Sequence, residues 1–93
     1  MRVTMTFLGI IRDKVGQKSL DVELPDGSGF DDLMQAIAPL MRERLDGWAW
    51  DDSRCRFAPQ VIVSRGRAVG GIDLFAPLEE GEEVLVFPPL AGG

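Results

Sequence analysis

The sequence predicts an α+β domain in which one main helix packs on one face of a mixed sheet of about four to five strands. Three observations predict it. Runs near both ends alternate apolar and polar residues with a period of two. A central segment instead repeats its apolar residues at three- and four-residue spacing. Clusters of Pro and Gly punctuate the boundaries between them. A period of two belongs to a half-buried strand, and a period near 3.6 to an amphipathic helix.

From Val3 to Leu8 the chain places Val3, Met5 and Phe7 on one face and Thr4 and Thr6 on the other, which predicts a strand. Asp13 to Lys18 is polar and contains Gly16, so it reads as a turn. Leu20, Val22 and Leu24 alternate again, and the two runs together predict an N-terminal hairpin. After the turn cluster Pro25-Asp26-Gly27-Ser28-Gly29, the residues Phe30, Leu33, Met34, Ile37, Leu40 and Met41 form a helical stripe. Ser28 or Gly29 is placed to cap it, Asp31 and Asp32 suit its N-terminal end, and Arg42 and Arg44 its C-terminal end. Pro39 predicts a kink or break near Ala38, because proline has no N–H to donate and its ring crowds the preceding turn.

Gly47 to Gln60 carries Trp48 and Trp50, read as loop residues folded back over the core rather than as the walls of a ligand site. Asp51 and Asp52 read as exposed carboxylates; an adjacent acidic pair supplies too few oxygens to hold a divalent ion alone. Val61-Ile62-Val63 reads as a buried strand, Arg65-Gly66 as a turn, Arg67-Ala68-Val69 as a short return strand broken by Gly70-Gly71, and Glu83 to Phe87 as the last strand, ended by Pro88 and Pro89. With the first and last strands central and parallel and the helix crossing between them, this order is a β-grasp, the ubiquitin-like fold. The expected division is a domain over residues 1–87 and a flexible tail over 88–93.

Composition narrows the function. The 93 residues make one small core, with little room for a deep self-contained cleft. Histidine is absent, which removes the commonest general acid–base and the commonest metal ligand, and no metal site is expected. The single cysteine, Cys55, can form neither an internal disulfide nor a zinc site by itself, which fits a reducing cytoplasm. Its arginine neighbours, Arg54 and Arg56, leave open a sulfur-handling thiolate, beside the plainer reading of an incidental loop thiol. A net charge of −5 disfavours nucleic acid and suits either a partner with a basic docking face or simply a soluble surface. No apolar stretch is long enough for a membrane span, and the N-terminus lacks the regions of a signal peptide. Nucleophile–base pairs and phosphate-binding glycine loops are missing, so a stand-alone enzyme is not expected.

The informative segment is the last one. Phe87-Pro88-Pro89-Leu90-Ala91 leads into Gly92-Gly93. A carboxylate on a diglycine arm has no side chain to obstruct its entry into a narrow active site. This predicts that the reactive group is the C-terminus itself. Gly81 to Gly93 resembles the end of the small subunit of molybdopterin synthase, in which a final strand is followed by Phe-Pro-Pro, a short apolar spacer and Gly-Gly. Phe7-Leu8-Gly9 followed by Arg12-Asp13-Lys14-Val15-Gly16 is similar to that family's opening. The Trp-bearing loop is longer than in compact members, and Val63-Ser64-Arg65-Gly66 stands where many relatives have Val-Asn-Gly.

The resemblance implies a ubiquitin-like sulfur carrier. An E1-like enzyme would use ATP to adenylate the Gly93 carboxylate, a persulfide donor would convert it to a thiocarboxylate, and the tail would enter the large synthase subunit to sulfurate a pterin precursor. No cofactor is bound by the carrier itself. Gly92 would keep the tail slim, and Pro88 and Pro89 would set its exit. The resemblance also carries Leu8, Arg12, Phe87, Pro88, Pro89 and Leu90 to partner contacts. Phe87 could equally be a core residue, since alternation alone does not fix its face, and Arg12 either pairs with a partner carboxylate or is merely solvated. The alternatives are a sulfur carrier for thiamine or cysteine synthesis, a ubiquitin-like modifier joined to lysines through Gly-Gly, and a non-covalent binding module with an idle tail.

Overall fold

A computed structural model describes residues 1–65 and 76–89. The elements in chain order are β1 (Arg2–Phe7), α1 (Gly9–Val15), β2 (Ser19–Glu23), α2 (Phe30–Arg44), β3 (Trp50–Asp51), β4 (Arg56–Phe57), β5 (Ile62–Arg65) and β6 (Glu83–Phe87). The expected return strand Arg67–Val69 lies outside the described residues, as do Leu90, Gly92 and Gly93.

The main sheet has the order β2-β1-β6-β5. β1 and β6 lie in its centre and run parallel, with Thr4 opposite Glu83 and Phe7 opposite Val86. β2 and β5 flank them antiparallel. This is the β-grasp arrangement. α2 lies in the crossover that a parallel pair requires. Val3, Met5, Phe7, Val84 and Val86 are fully buried and pack in one core with Leu33, Met34, Ile37 and Met41 of α2. Each such side chain contributes about 1.5–3 kcal/mol by leaving water.

Three expectations need correction. The link between β1 and β2 is the helix α1, not a polar turn. Ile11 and Val15, one turn apart, are its buried anchors, and Gly16 closes it in the left-handed region at φ 84, donating its N–H to the Arg12 carbonyl at 2.9 Å. Pro39 does not break α2, which runs unbroken to Arg44. Pro39 and Gln35, the residue whose carbonyl it cannot serve, are both exposed, so the proline sits on the solvent side of the helix. Val61–Val63 is not buried throughout. β5 is an edge strand with one open face, so Val61 is buried while Ile62 is 42% exposed.

Arg65, read as part of a turn, is instead the buried last residue of β5, and Asp51, read as exposed, is half-buried; the expectations for the α2 cap and the tryptophans hold. Gly29 caps α2 and donates its N–H to Asp32 Oδ2 at 2.8 Å. Trp50 is buried and meets Phe57 edge to face at 5.2 Å, and Trp48 packs partly against the core. The two short strands β3 and β4 pair Trp50 with Phe57 and form a flap over the core beside α2.

Candidate docking face and base of the tail

The sheet has one face against α2 and one open face. Alternation along β6 sends Val84 and Val86 inward, so Leu85 and Phe87 project from the open face. The register then decides their neighbours. Phe87 lies opposite Ile62, and Leu85 lies between Ser64 of β5 and Thr6 of β1. Phe87 is therefore a half-buried residue of the open face and not a core residue.

Leu8 extends the outward row of Thr4 and Thr6 and is half-buried. Its N–H donates to the Val86 carbonyl at 3.0 Å, which fixes Leu8 beside the end of β6. Gly9 then turns the chain into α1 with φ +57. Ile10, at 49% exposed, follows on the surface. Arg12 is exposed and lies 4.0 Å from Asp13, a loose surface contact.

Pro88 is seated on this turn. A Cβ built at Gly9 would come within 2.9 Å of Pro88 Cγ, closer than real contacts allow. Glycine at position 9 meets two demands at once, a positive φ and an opposed proline ring. Of the predicted site residues, the fold brings Leu8, Phe87 and Pro88 together at one end of the central strands; Pro89 follows directly, half-buried, and Arg12 lies one helical turn beyond Leu8. Ile62, Leu85, Ile10 and Gly9 were not singled out by sequence reasoning. The register supplies Ile62 and Leu85, and Gly9 matters because of a residue distant in the chain.

The electrostatics of the open face are mixed. Thr4 donates to Asp21 at 2.8 Å and Thr6 to Glu83 at 3.2 Å, so acidic groups flank the apolar patch toward β2 and the start of β6. At the base of β5 the guanidinium of Arg65 grips Glu82 with two bonds, Nε to Oε2 at 2.6 Å and Nη2 to Oε1 at 2.9 Å, and also donates to the carbonyls of Ala76 and Pro77. The hydrogen bonds from Arg65 hold the Glu82 carboxyl below its ordinary pKa, against the opposing effect of burial.

The flap has its own polar order. Asp52 accepts from Arg42 and from the Trp50 indole, which lower its pKa; Asp51 is lowered chiefly by the Ser53 hydroxyl. Both carboxylates are thus engaged with neighbouring donors. Among the described residues no group of three or more His, Cys, Asp or Glu is placed to hold a metal ion, and no helix is long and apolar enough to cross a membrane. Cys55 is half-buried at φ 54 in the β3–β4 connection, remote in sequence from the tail.

No family model matches the chain. Small archaeal modifier protein 3 of Haloferax volcanii is 32% identical to it over 95 residues, covering 100% of both chains. The crystal structure of small archaeal modifier protein 1 from the same organism superposes with a TM-score of 0.76 at 18% identity, again over 100% of both chains. A Pyrococcus furiosus structure provisionally assigned as molybdopterin converting factor, subunit 1, superposes with a TM-score of 0.68 at 22% identity, over 97% of this chain and 99% of that one.

Proposed function

This chain belongs to the family of the small archaeal modifier proteins, ubiquitin-like β-grasp proteins related to sulfur carriers, and from that membership we propose that its reactive group is the Gly93 carboxylate. The supporting observation is the seat of Pro88 on Gly9 at the rim of an open apolar face. That seat fixes where the last segment leaves the domain, next to side chains suited to docking. An E1-like enzyme adenylates Gly93 with ATP, and a sulfur donor acting through that enzyme converts it to a thiocarboxylate. The large subunit of molybdopterin synthase then binds the open face, and the tail delivers sulfur to a pterin precursor.

In this scheme the chain's own residues do four things. Gly92 and Gly93 enter a partner's site without steric bulk. Pro88 and Pro89 restrict the directions the tail can take. Phe87, Ile62 and Leu8 provide the apolar contact, and Arg12 at its edge provides a charge for a partner carboxylate. The bond-making groups belong to the partners.

A second reading is carried by the relative at 32% identity, which is named a modifier. Here the activated Gly93 carbonyl is attacked by a lysine amine of a target protein. The two readings share adenylation and diverge afterwards. Intact-mass analysis after incubation with the activating enzyme, ATP and a sulfur source separates them. Exchange of one terminal oxygen for sulfur supports the carrier. Adenylation without that exchange, accompanied by lysine-linked products, supports the modifier.

A further inference from the structure

A recess of about 390 Å³ opens between the start of α2, the flap and β5. That is the size of a pocket for a small ligand or a few side chains. Its floor is apolar: Phe57 and Val61 are each 7% exposed, and Phe30 and Val63 pack partly against the core beside them. Val61 and Val63 flank Ile62 and turn the other way, so the recess and the face that carries Phe87 lie on opposite sides of the sheet. The mouth is charged, with Arg54 and Arg56 on the flap and Asp31 in the first turn of α2. Asp51, the cross-strand neighbour of Arg56, accepts instead from the Ser53 hydroxyl at 2.8 Å and the Arg54 backbone N–H at 3.3 Å, and its Oδ2 lies 3.7 Å from Arg54 Nε. The side chains of Arg56 and Asp31 are therefore exposed and without a hydrogen-bond or ion-pair partner among the described residues. Elsewhere on this surface opposite charges close on each other, Arg2 on Glu23 at 2.9 Å and Arg42 on Asp52 at 2.8 Å. Asp31 and Arg56 line one recess, yet α2 and the flap hold them apart.

We infer that this recess is a second docking site, for a linear peptide segment of a partner protein in which a large apolar side chain lies between a basic and an acidic residue. The apolar side chain covers Phe57 and Val61, the basic residue meets Asp31, and the acidic residue meets Arg56. Because Asp31 and Arg56 sit on different elements, their fixed placement selects one order of the two charges along the peptide. Neither the open face nor Gly93 takes part. A molecule engaged through its sheet and tail therefore still presents this recess to another protein.

The test titrates the full chain, labelled with nitrogen-15, with four capped tripeptides: acetyl-Lys-Phe-Glu-amide, the reversed acetyl-Glu-Phe-Lys-amide, the uncharged acetyl-Gln-Phe-Gln-amide and the small acetyl-Lys-Ala-Glu-amide. The amide resonances of Phe57, Ala58 and Val61 report occupancy. The inference expects shifts at these amides and one of the two charged Phe peptides to bind about fivefold more tightly than the other three probes, the scale of exposed charge pairs. Asp31→Lys with Arg56→Glu exchanges the two charges, and in that double variant the preference passes to the reversed peptide. A variant that has merely lost structure cannot produce such an inversion. Arg56→Gln, the milder change, is expected to shrink the preference without moving the unfolding midpoint. Unmoved amides at Phe57 and Val61, equal binding of the two charged orders, or equal binding of the uncharged peptide overturns the inference. So do shifts at these amides that grow with protein concentration alone, which assign the recess to a second copy of the chain. None of these outcomes bears on the reading of Gly93.

Discussion

Gly9 and Pro88 occupy each other's space: the hydrogen at Gly9 is what admits the proline ring, since a methyl there would stand 2.9 Å from its Cγ. Through this contact the turn after the first strand sets the direction of the segment after the last. Gly9→Ala has two costs, a left-handed φ for a residue with a Cβ and displacement of Pro88. Gly81 is the control. It also has positive φ, +76, but a Cβ there meets nothing within 4 Å. Gly81→Ala is expected to cost about 1 kcal/mol of backbone strain, and Gly9→Ala about 2–3 kcal/mol. Thermal unfolding measures both. Adenylation at a temperature where both stay folded is expected to fall only in Gly9→Ala.

Phe87 and Ile62 are cross-strand partners on the open face, so they are expected to act together in binding. Phe87→Ala and Ile62→Asp should each weaken affinity for the activating enzyme or the large synthase subunit by about tenfold or more. The double mutant is expected to lose less than the sum of the two. Titration calorimetry on the four proteins measures this. Additive losses would show that the two side chains bind independently.

The tail predicts a separation of function from stability. Deleting Gly92 and Gly93, or replacing Gly93 with Val, is expected to leave the unfolding midpoint unchanged within about 0.5 kcal/mol. The same changes are expected to abolish charging of the terminus. Normal pathway output from cells carrying the deletion would instead point to an idle tail.

Arg65 and Glu82 each retain about 9% side-chain exposure, so their pair is effectively internal. Replacing Arg65 with Met strands the carboxylate and is expected to cost about 3 kcal/mol. The pH dependence has a definite sign. Glu82 titrates below its ordinary 4.5 when folded, so its stabilisation is complete above that value and is lost as pH falls through the folded pKa. Glu82→Gln should flatten the acid limb of the stability curve below about pH 4.5, as read by denaturant titration across pH.

Much of the architecture was legible because period and composition agree. Val3/Met5/Phe7 and Val84/Val86 could be little other than strands, and the stripe from Phe30 to Met41 little other than a helix. α1 was hidden because its charged residues and Gly16 resemble a turn, although Ile11 and Val15 at four-residue spacing with a glycine just beyond carry the helical signature. Pro39 misled because the damage a proline does depends on which side of the helix it faces. Of the candidate site, Phe87-Pro88-Pro89 and Leu8 were expected only through the family resemblance of the two ends of the chain. The face that Phe87 occupies could not be read, since it depends on strand parity relative to a sheet not yet assembled. Ile62 and Gly9 acquire their roles from partners far along the chain, which no local pattern records.

The position of β6 between β1 and β5 has a consequence for biosynthesis. The strand that both neighbours need is the last of the described strands to emerge from the ribosome, so the nascent β1–β2 pair must wait beside an open edge until β6 has been made. A message truncated before Glu83 yields a product with no centre to its sheet, a natural client for proteolysis. The open face that carries Leu85 and Phe87 therefore exists only in molecules whose synthesis has passed β6.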